Sequence, residues 1–213
     1  MVSIKIFVFN PFQVNTYLIF DETFELIIID PGCQTTDEAK IITSFIDNNN
    51  LTPKAIFHTH GHIDHIMGNK FIKDRYNIPI FANEYDKKHM EEAETQALYF
   101  GIDVEEIYLP DKFLSDNDLF QFGNTTLKVL HIPGHSPGSI GFYCEKEKFV
   151  ITGDVLFYQT IGRTDIPYSD YDTIINSIKT KLLVLPDNTK VFPGHGRDTT
   201  IKNEKTSNPY LSE

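Results

Sequence analysis

Four side chains able to ligate a metal fall within the six positions from His60 to His65: His60, His62, Asp64 and His65. The i, i+2 spacing of His60 and His62 directs both imidazoles the same way from an extended or looped backbone. Asp64 and His65 are adjacent, so their side chains diverge and can serve a second centre beside the first. Imidazole nitrogen and carboxylate oxygen suit a borderline divalent ion such as zinc, iron or manganese. A structural zinc site more often uses cysteine and closes its coordination sphere, so a cluster without cysteine points to an open catalytic centre.

One cluster cannot fill two coordination spheres, and the chain offers further ligands at the ends of apolar runs. Val129-Leu130-His131-Ile132-Pro133-Gly134-His135 leaves a strand-like run and ends on a histidine in a Pro/Gly loop. Phe149-Val150-Ile151-Thr152-Gly153-Asp154 does the same with an aspartate, and Val191-Phe192-Pro193-Gly194-His195 with a histidine. Loops at strand ends are where a rigid scaffold presents catalytic groups.

With Asn15-Thr16-Tyr17-Leu18-Ile19 and Asp30-Pro31-Gly32, these loops resemble the metallo-β-lactamase superfamily over nearly the whole chain. The stretches Gly153-Asp154-Val155-Leu156-Phe157, Gly162-Arg163-Thr164-Asp165 and Thr206-Ser207-Asn208-Pro209-Tyr210-Leu211 are most similar to its glyoxalase-II-type thioester hydrolases, in a short single-domain form. The resemblance implies two divalent ions, zinc first, with iron or manganese as alternatives. It places His60, His62 and His135 on one metal, Asp64, His65 and His195 on the other, and Asp154 between them. His58 matches no ligand position. It also implies an α/β (α+β) chain folded as a four-layer αβ/βα sandwich.

The elements that must position these loops read as follows. Strand-like segments cover 4–9, 16–20 and 26–29, the last ending on Asp30-Pro31-Gly32. Thr35 to Glu38 offer a cap and first-turn acids, and Ala39, Ile42, Phe45 and Ile46 mark a helical face. Residues 55–58 form a short buried strand that delivers the metal loop. A helix is expected from about 65 to 75, a strand over 78–82 and a helical region over 84–100. Strands over 119–122, 125–131, 140–144 and 148–152 make a second sheet, and 170–183 is helical by the spacing of Tyr171, Ile174, Ile175, Ile178 and Leu182. The pattern alone gives mixed, layered α and β; two sheets face to face with helices outside fit it.

Composition bounds the function. A chain of 213 residues with 40% hydrophobic residues suits one sizeable core, read as a single domain over 1–213. Only eighteen residues follow His195, so the extra C-terminal helical domain of two-domain glyoxalase II is not expected. Net charge of -11 argues against nucleic acid, and no apolar run reaches the length of a membrane span. No protein partner is evident. The acidic stretches 91–94 and 104–106 read as solvated helix faces. The amino terminus alternates like a first strand and carries no basic leader, and two cysteines, Cys33 and Cys144, build no disulfide framework; a cytoplasmic location is the simplest reading.

Two neighbouring cations lower the pKa of a water from about 16 towards about 7, which gives hydroxide at neutral pH for attack on a carbonyl polarised by one of them. Asp154 would set the metal spacing and Asp64 would also orient the nucleophile's proton, so both are read as catalytic as well as ligating. A thioester suits this site because a thiolate leaves without a strong general acid. The substrate is therefore read as a small thioester, and the resemblance implies a glutathione-linked one such as S-D-lactoylglutathione. Arg163 is the candidate to grip a substrate carboxylate, against a pairing with Asp165; Tyr158, beside Phe157, is the candidate pocket wall. Asp30 is read as the carboxylate partner of a ligand imidazole, against a mere tight turn. His58 and His131 are read as packed or supporting residues, and His89 as a surface residue. The alternatives are a persulfide dioxygenase with one iron on His60, His135 and Asp154, a lactonase, and a non-catalytic metal-binding module.

Overall fold

The computed structural model describes residues 1–104 and 106–211. Strands β1 (Ser3–Phe9), β2 (Val14–Phe20) and β3 (Glu25–Ile29) form an antiparallel meander. Helix α1 (Thr36–Asn48) crosses over to β4 (Thr52–Phe57), which pairs parallel to β3. Helix α1 starts as its sequence suggests: Thr35 Oγ1 accepts from Glu38 N, and the Glu38 carboxylate accepts from Thr35 N, a reciprocal capping box.

The helix expected over 65–75 is broken into α2 (Ile63–Ile66) and α3 (Asn69–Tyr76). Gly68 donates its N–H to Pro31 O at 2.7 Å, which turns the chain between the two pieces. β5 (Ile80–Ala82) begins after Pro79, shorter than expected, because proline has no N–H for a ladder. The region 84–100 divides into a 3-10 turn (Glu84–Asp86), α4 (Lys87–Glu91) and α5 (Ala93–Phe100). Val104 and Glu106 lie in a loop, not on a helix, and Glu105 falls outside the described residues. β6 (Lys112–Phe113) closes a six-stranded first sheet in the order β1-β2-β3-β4-β5-β6.

The second sheet takes β7 (Leu119–Phe122), β8 (Thr125–His131), β9 (Ile140–Cys144) and β10 (Phe149–Gly153) as an antiparallel run. A small hairpin, β11 (Leu156–Phe157) with β12 (Thr160–Ile161), follows. Helix α6 (Tyr171–Ser177) continues into a π turn (Ile178–Leu182), so the helical span expected over 170–183 is present with a changed pitch. β13 (Lys190–Pro193) then pairs parallel to β10, and β14 (Thr199–Thr200) and α7 (Ile201–Ser207) finish the order β14-β13-β10-β9-β8-β7.

Alternation along the strands builds the layers. Ile27 and Ile29 of β3, Ala55 and Phe57 of β4, and Tyr17 and Ile19 of β2 face Val129, Phe142, Ile151 and Phe192 of the other sheet. Leu18, Leu26, Ile28 and Ile56 point the other way, under Ala39, Ile42 and Ile46 of α1 and Ile72 of α3. Leu130, Tyr143, Val150 and Val191 pack outward against Ile174, Ile178, Leu182 and Ile201. The result is helix, sheet, sheet, helix: the αβ/βα sandwich. Cys144 is a core residue, and Cys33 is buried with its thiol pushed up to about 12 by burial.

Strand polarity decides where the chemistry gathers. β3, β4 and β5 are parallel, and β8, β10 and β13 share one direction through the antiparallel β9. The loops after β3, β4, β8, β10 and β13 therefore open at sheet ends, and a bridge between Val14 and His195 joins the two sheets there. Among the described residues, no helix is long and apolar enough to cross a membrane.

Candidate metal centre

Three overlapping trios have ligand atoms mutually within 4.8 Å: His60, His62 and His135; His60, His65 and Asp154; and Asp64, His65 and His195. All seven side chains that the sequence nominated as ligands meet in this cluster.

The hydrogen bonds behind each imidazole fix which nitrogen faces inward. His65 Nδ1 donates to Asp30 Oδ2 at 3.0 Å, and His135 Nδ1 donates to Arg163 O at 3.0 Å. His195 Nδ1 donates to Phe12 O at 2.9 Å. The Thr59 hydroxyl donates to Asp30 Oδ2 at 2.6 Å and so accepts from His60 Nδ1 at 3.1 Å. Four rings thus spend Nδ1 on an acceptor and present Nε2 to the centre. His62 is the exception: its Nδ1 faces His135 Nε2 at 3.0 Å.

Asp154 lies between the trios. Its Oδ1 is 3.5 Å from His65 Nε2, and its Oδ2 is 3.4 Å from His195 Nε2 and 3.7 Å from His135 Nε2. Asp64 Oδ2 stands 3.3 Å from His195 Nε2 and 3.6 Å from His65 Nε2. Gly194 must be glycine for this approach: a Cβ there would run into Asp154 Oδ1 and sit 2.8 Å from His65 Cε1. His60 Nε2 and Asp154 Oδ1 are buried and have no hydrogen-bond partner among the protein groups. Buried lone pairs left unpaired are costly, and a divalent cation is the group that would satisfy both. The donor set, nitrogen and carboxylate oxygen without sulfur, fits such an ion.

Electrostatics divide the cluster. Burial raises the Asp154 carboxyl, but the charges of the facing His65 and His195 imidazoles outweigh it and hold the group well below its usual range. Burial opposes the charge on His65 and His195 too, yet the facing carboxylates win, lifting His65 well above normal and His195 to about 10. Burial and neighbouring imidazoles keep His60 far below its usual value and His62 at about 3. The protein's own groups thus favour the neutral form of His60 and His62 and the charged form of His65 and His195.

The supporting shell comes from far along the chain. Asp30 is fully buried at φ +48°; its Oδ1 accepts from Thr59 N at 2.8 Å, and the group is held at about 2 because the charge and hydrogen bond of His65, with the nearby His58 ring, overcome burial. Asp30-Pro31-Gly32 is therefore more than a turn. Asn15 Nδ2 donates to Pro193 O and Gly196 O, and Tyr17 donates to Pro193 O, so the early Asn-Thr-Tyr stretch braces the His195 loop. Thr16 does the same for the Asp30 carbonyl. His58 is buried with Nε2 on Asn69 Oδ1 at 2.8 Å, and His131 donates from Nε2 to Pro137 O, both outside the trios.

His89 departs from its expected surface position. It is 6% exposed, its ring lies 5.2 Å from that of His62, and Tyr168 packs on it at 4.9 Å. Its polar sequence neighbours gave no hint, because a helix of five residues turns one side fully to the His62 loop. Arg163 reaches the cluster through its carbonyl; its exposed guanidinium forms a two-point pair with Asp165 at 2.9 and 3.1 Å. Tyr158 is half-buried on the β11–β12 hairpin, with the Arg197 guanidinium carbon 3.4 Å from its ring centre, and Phe157 next to it lies 6.5 Å from the His195 ring. The Phe12 and Arg163 carbonyls carry no sequence signal because a backbone acceptor leaves no mark on a sequence, and the side chains of Asn15 and Thr59 gain their roles only from partners far along the chain or in the folded loop.

The metallo-beta-lactamase superfamily profile matches residues 9–195. The hydroxyacylglutathione hydrolase GloC of Haemophilus influenzae is 41% identical over 212 residues, covering 99% of this chain and 98% of that protein. The solved structure of BLEG-1, a B3 metallo-beta-lactamase, superposes with a TM-score of 0.91 at 34% identity, covering 99% of this chain and 100% of that one. TTHA1623, solved in a di-iron-bound form, gives 0.88 at 33% identity over 97% and 100%. The fold and its edge cluster are thus those of a metal-dependent hydrolase. The chain belongs to the metallo-β-lactamase superfamily, whose members bind divalent metals.

Proposed function

We propose that this protein hydrolyses a small thioester, with a glutathione thioester such as S-D-lactoylglutathione as the leading substrate. His60, His62 and His135 would hold one divalent ion and Asp64, His65 and His195 a second, with Asp154 shared. The observation that carries this reading is the convergence of four Nε2 atoms, each with its Nδ1 engaged, on two carboxylates. Bound there, the ions would supply a Lewis acid for the carbonyl oxygen and bring a water to hydroxide at neutral pH.

The chain's own groups do the rest. Asp154 fixes the spacing of the trios through both of its oxygens. Asp64, whose carboxyl stays ionised because the charge of His65 and the bond from His195 outweigh burial, can accept a hydrogen bond from the nucleophile and orient it. Tyr158, on the hairpin that follows Asp154, and Arg163, whose carbonyl accepts from His135, would be the substrate contacts. Arg163 would readily exchange Asp165 for a substrate carboxylate, since both partners of the pair are exposed and water screens their attraction. A thiolate leaves unprotonated, so no further acid is needed, which favours a thioester over an amide. The similarity to a hydroxyacylglutathione hydrolase supports the glutathione carrier.

The test is hydrolysis of S-D-lactoylglutathione by freshly purified protein under anaerobic conditions. Turnover abolished by chelation and restored by added metal supports the proposal. No turnover of this or other thioesters, with oxygen-dependent consumption of glutathione persulfide instead, would replace it with the dioxygenase reading.

A further inference from the structure

We infer that Asp86 is a positioning residue that sets the spacing of the first metal trio, an inference that rests on the metal assignment above. Asp86 sits where the 3-10 turn meets α4, fully buried, and belongs to none of the three trios. Its Oδ2 accepts from Gly61 N at 2.8 Å and from Ser136 Oγ at 2.7 Å, and its Oδ1 accepts from Gly138 N at 2.6 Å. Gly61 lies between His60 and His62; Ser136 follows His135 directly. One carboxylate therefore ties together the two loops that carry all three imidazoles, from strands in different sheets.

The donors leave no freedom in how the group is used. Ser136 gives its only hydroxyl hydrogen to Asp86, so the 2.8 Å contact with Ser139 is a bond donated by Ser139. Gly138 has no side chain because a Cβ there would lie 2.5 Å from Asp86 N and 2.7 Å from its Cγ. His89, one turn on, faces Asp86 Oδ1 with Nδ1 at 3.5 Å and sets its ring at 72° against His62. His62, whose Nδ1 points inward, is thus backed by a ring that Asp86 orients. An asparagine here would put an N–H against a backbone N–H, whichever way its amide turned, and one loop would have to move.

Groups that orient metal ligands cost about 10–100-fold in metal affinity or activity when lost. The experiment titrates metal-free wild type and Asp86→Asn with Co(II), following the ligand-field spectrum, chelator competition and thermal unfolding together. The expected result is an affinity at the three-histidine site lowered about 10–100-fold, with a changed spectrum and an unaltered second site; loaded with metal, the variant loses kcat more than KM. Ser136→Ala, which removes one donor and no charge, should weaken the same site to a lesser degree and serves if Asp86→Asn does not fold. Wild-type affinity and spectrum in the folded variants, even with lowered thermal stability, overturn the inference and leave the metal reading standing. Wild-type protein that binds no Co(II) overturns the metal reading and the inference with it.

Discussion

Asp30→Asn changes the hydrogen-bonding sense of one buried group without changing its size. Asp30 Oδ1 accepts from Thr59 N, and Oδ2 accepts from the Thr59 hydroxyl and from His65 Nδ1. The backbone N–H of Thr59 can only donate, so the asparagine must keep its oxygen there and turn its NH₂ to the place of Oδ2. The hydroxyl can reverse and accept; His65 Nδ1 must then accept as well, which moves the imidazole proton to Nε2, the atom that faces the cluster. The reversed hydroxyl also withdraws the acceptor from His60 Nδ1 at 3.1 Å, so both metal trios feel the change. Loss of such an orienting partner lowers metal affinity about 10–100-fold, or about 1.4–2.8 kcal/mol. The φ of +48° at this position is one that asparagine tolerates, so backbone strain does not confuse the comparison as alanine would. Metal affinity by chelator competition, measured beside thermal unfolding of the metal-free protein, reads the effect. A folded Asp30→Asn protein with wild-type affinity would refute the tautomer argument and reduce Asp30 to a packing role.

Asp154→Asn should lower turnover by about 10²-fold or more and cost metal at both sites, because its two oxygens face His65, His135 and His195; metal content and steady-state rates check it, and full occupancy with near-normal turnover would remove the shared role. Arg163→Ala should raise KM for an anionic thioester several-fold with kcat little changed, and equal KM values for anionic and neutral substrates would take the guanidinium out of the site. Asp21 is buried far from the cluster, and although burial raises its carboxyl, bonds from Thr23, Thr125 and Asn124 lower it below the usual value. A depressed carboxyl contributes stability above its unfolded pKa of about 4 and loses it as pH falls through the folded value. Asp21→Asn should therefore lower stability by about 1–3 kcal/mol at pH 7, with the gap to wild type closing below about pH 4; denaturant melts at the two pH values decide it.

The ligand residues were legible because each sits immediately after an apolar strand in a loop rich in Gly and Pro, and because four of them fall within six positions. The layered architecture was legible for a similar reason: the alternation of β1, the continuous apolar run of β3 and the 3.6-residue face of α1 are local patterns, with Thr35 and Glu38 marking the helix start. Local signals failed where long-range contacts overrode them. The break between α2 and α3 comes from Gly68 bonding to Pro31, and the two-residue β6 is defined by its pairing with β5. His89 read as solvated because its neighbours are charged, although its own side faces His62.

By itself the sequence determined which atoms are available: five imidazoles and two carboxylates of the right chemistry, on loops that a strand must deliver. The tertiary structure alone decided which nitrogen of each ring faces inward, because the acceptors lie elsewhere in the chain. Asp30 serves His65, the Phe12 carbonyl serves His195, and the Arg163 carbonyl serves His135. It also decided that Asp86 would join the His60 and His135 loops across the two sheets. A ligand's identity is written in one residue, but its tautomer and aim are set by hydrogen bonds that exist only once distant segments have packed.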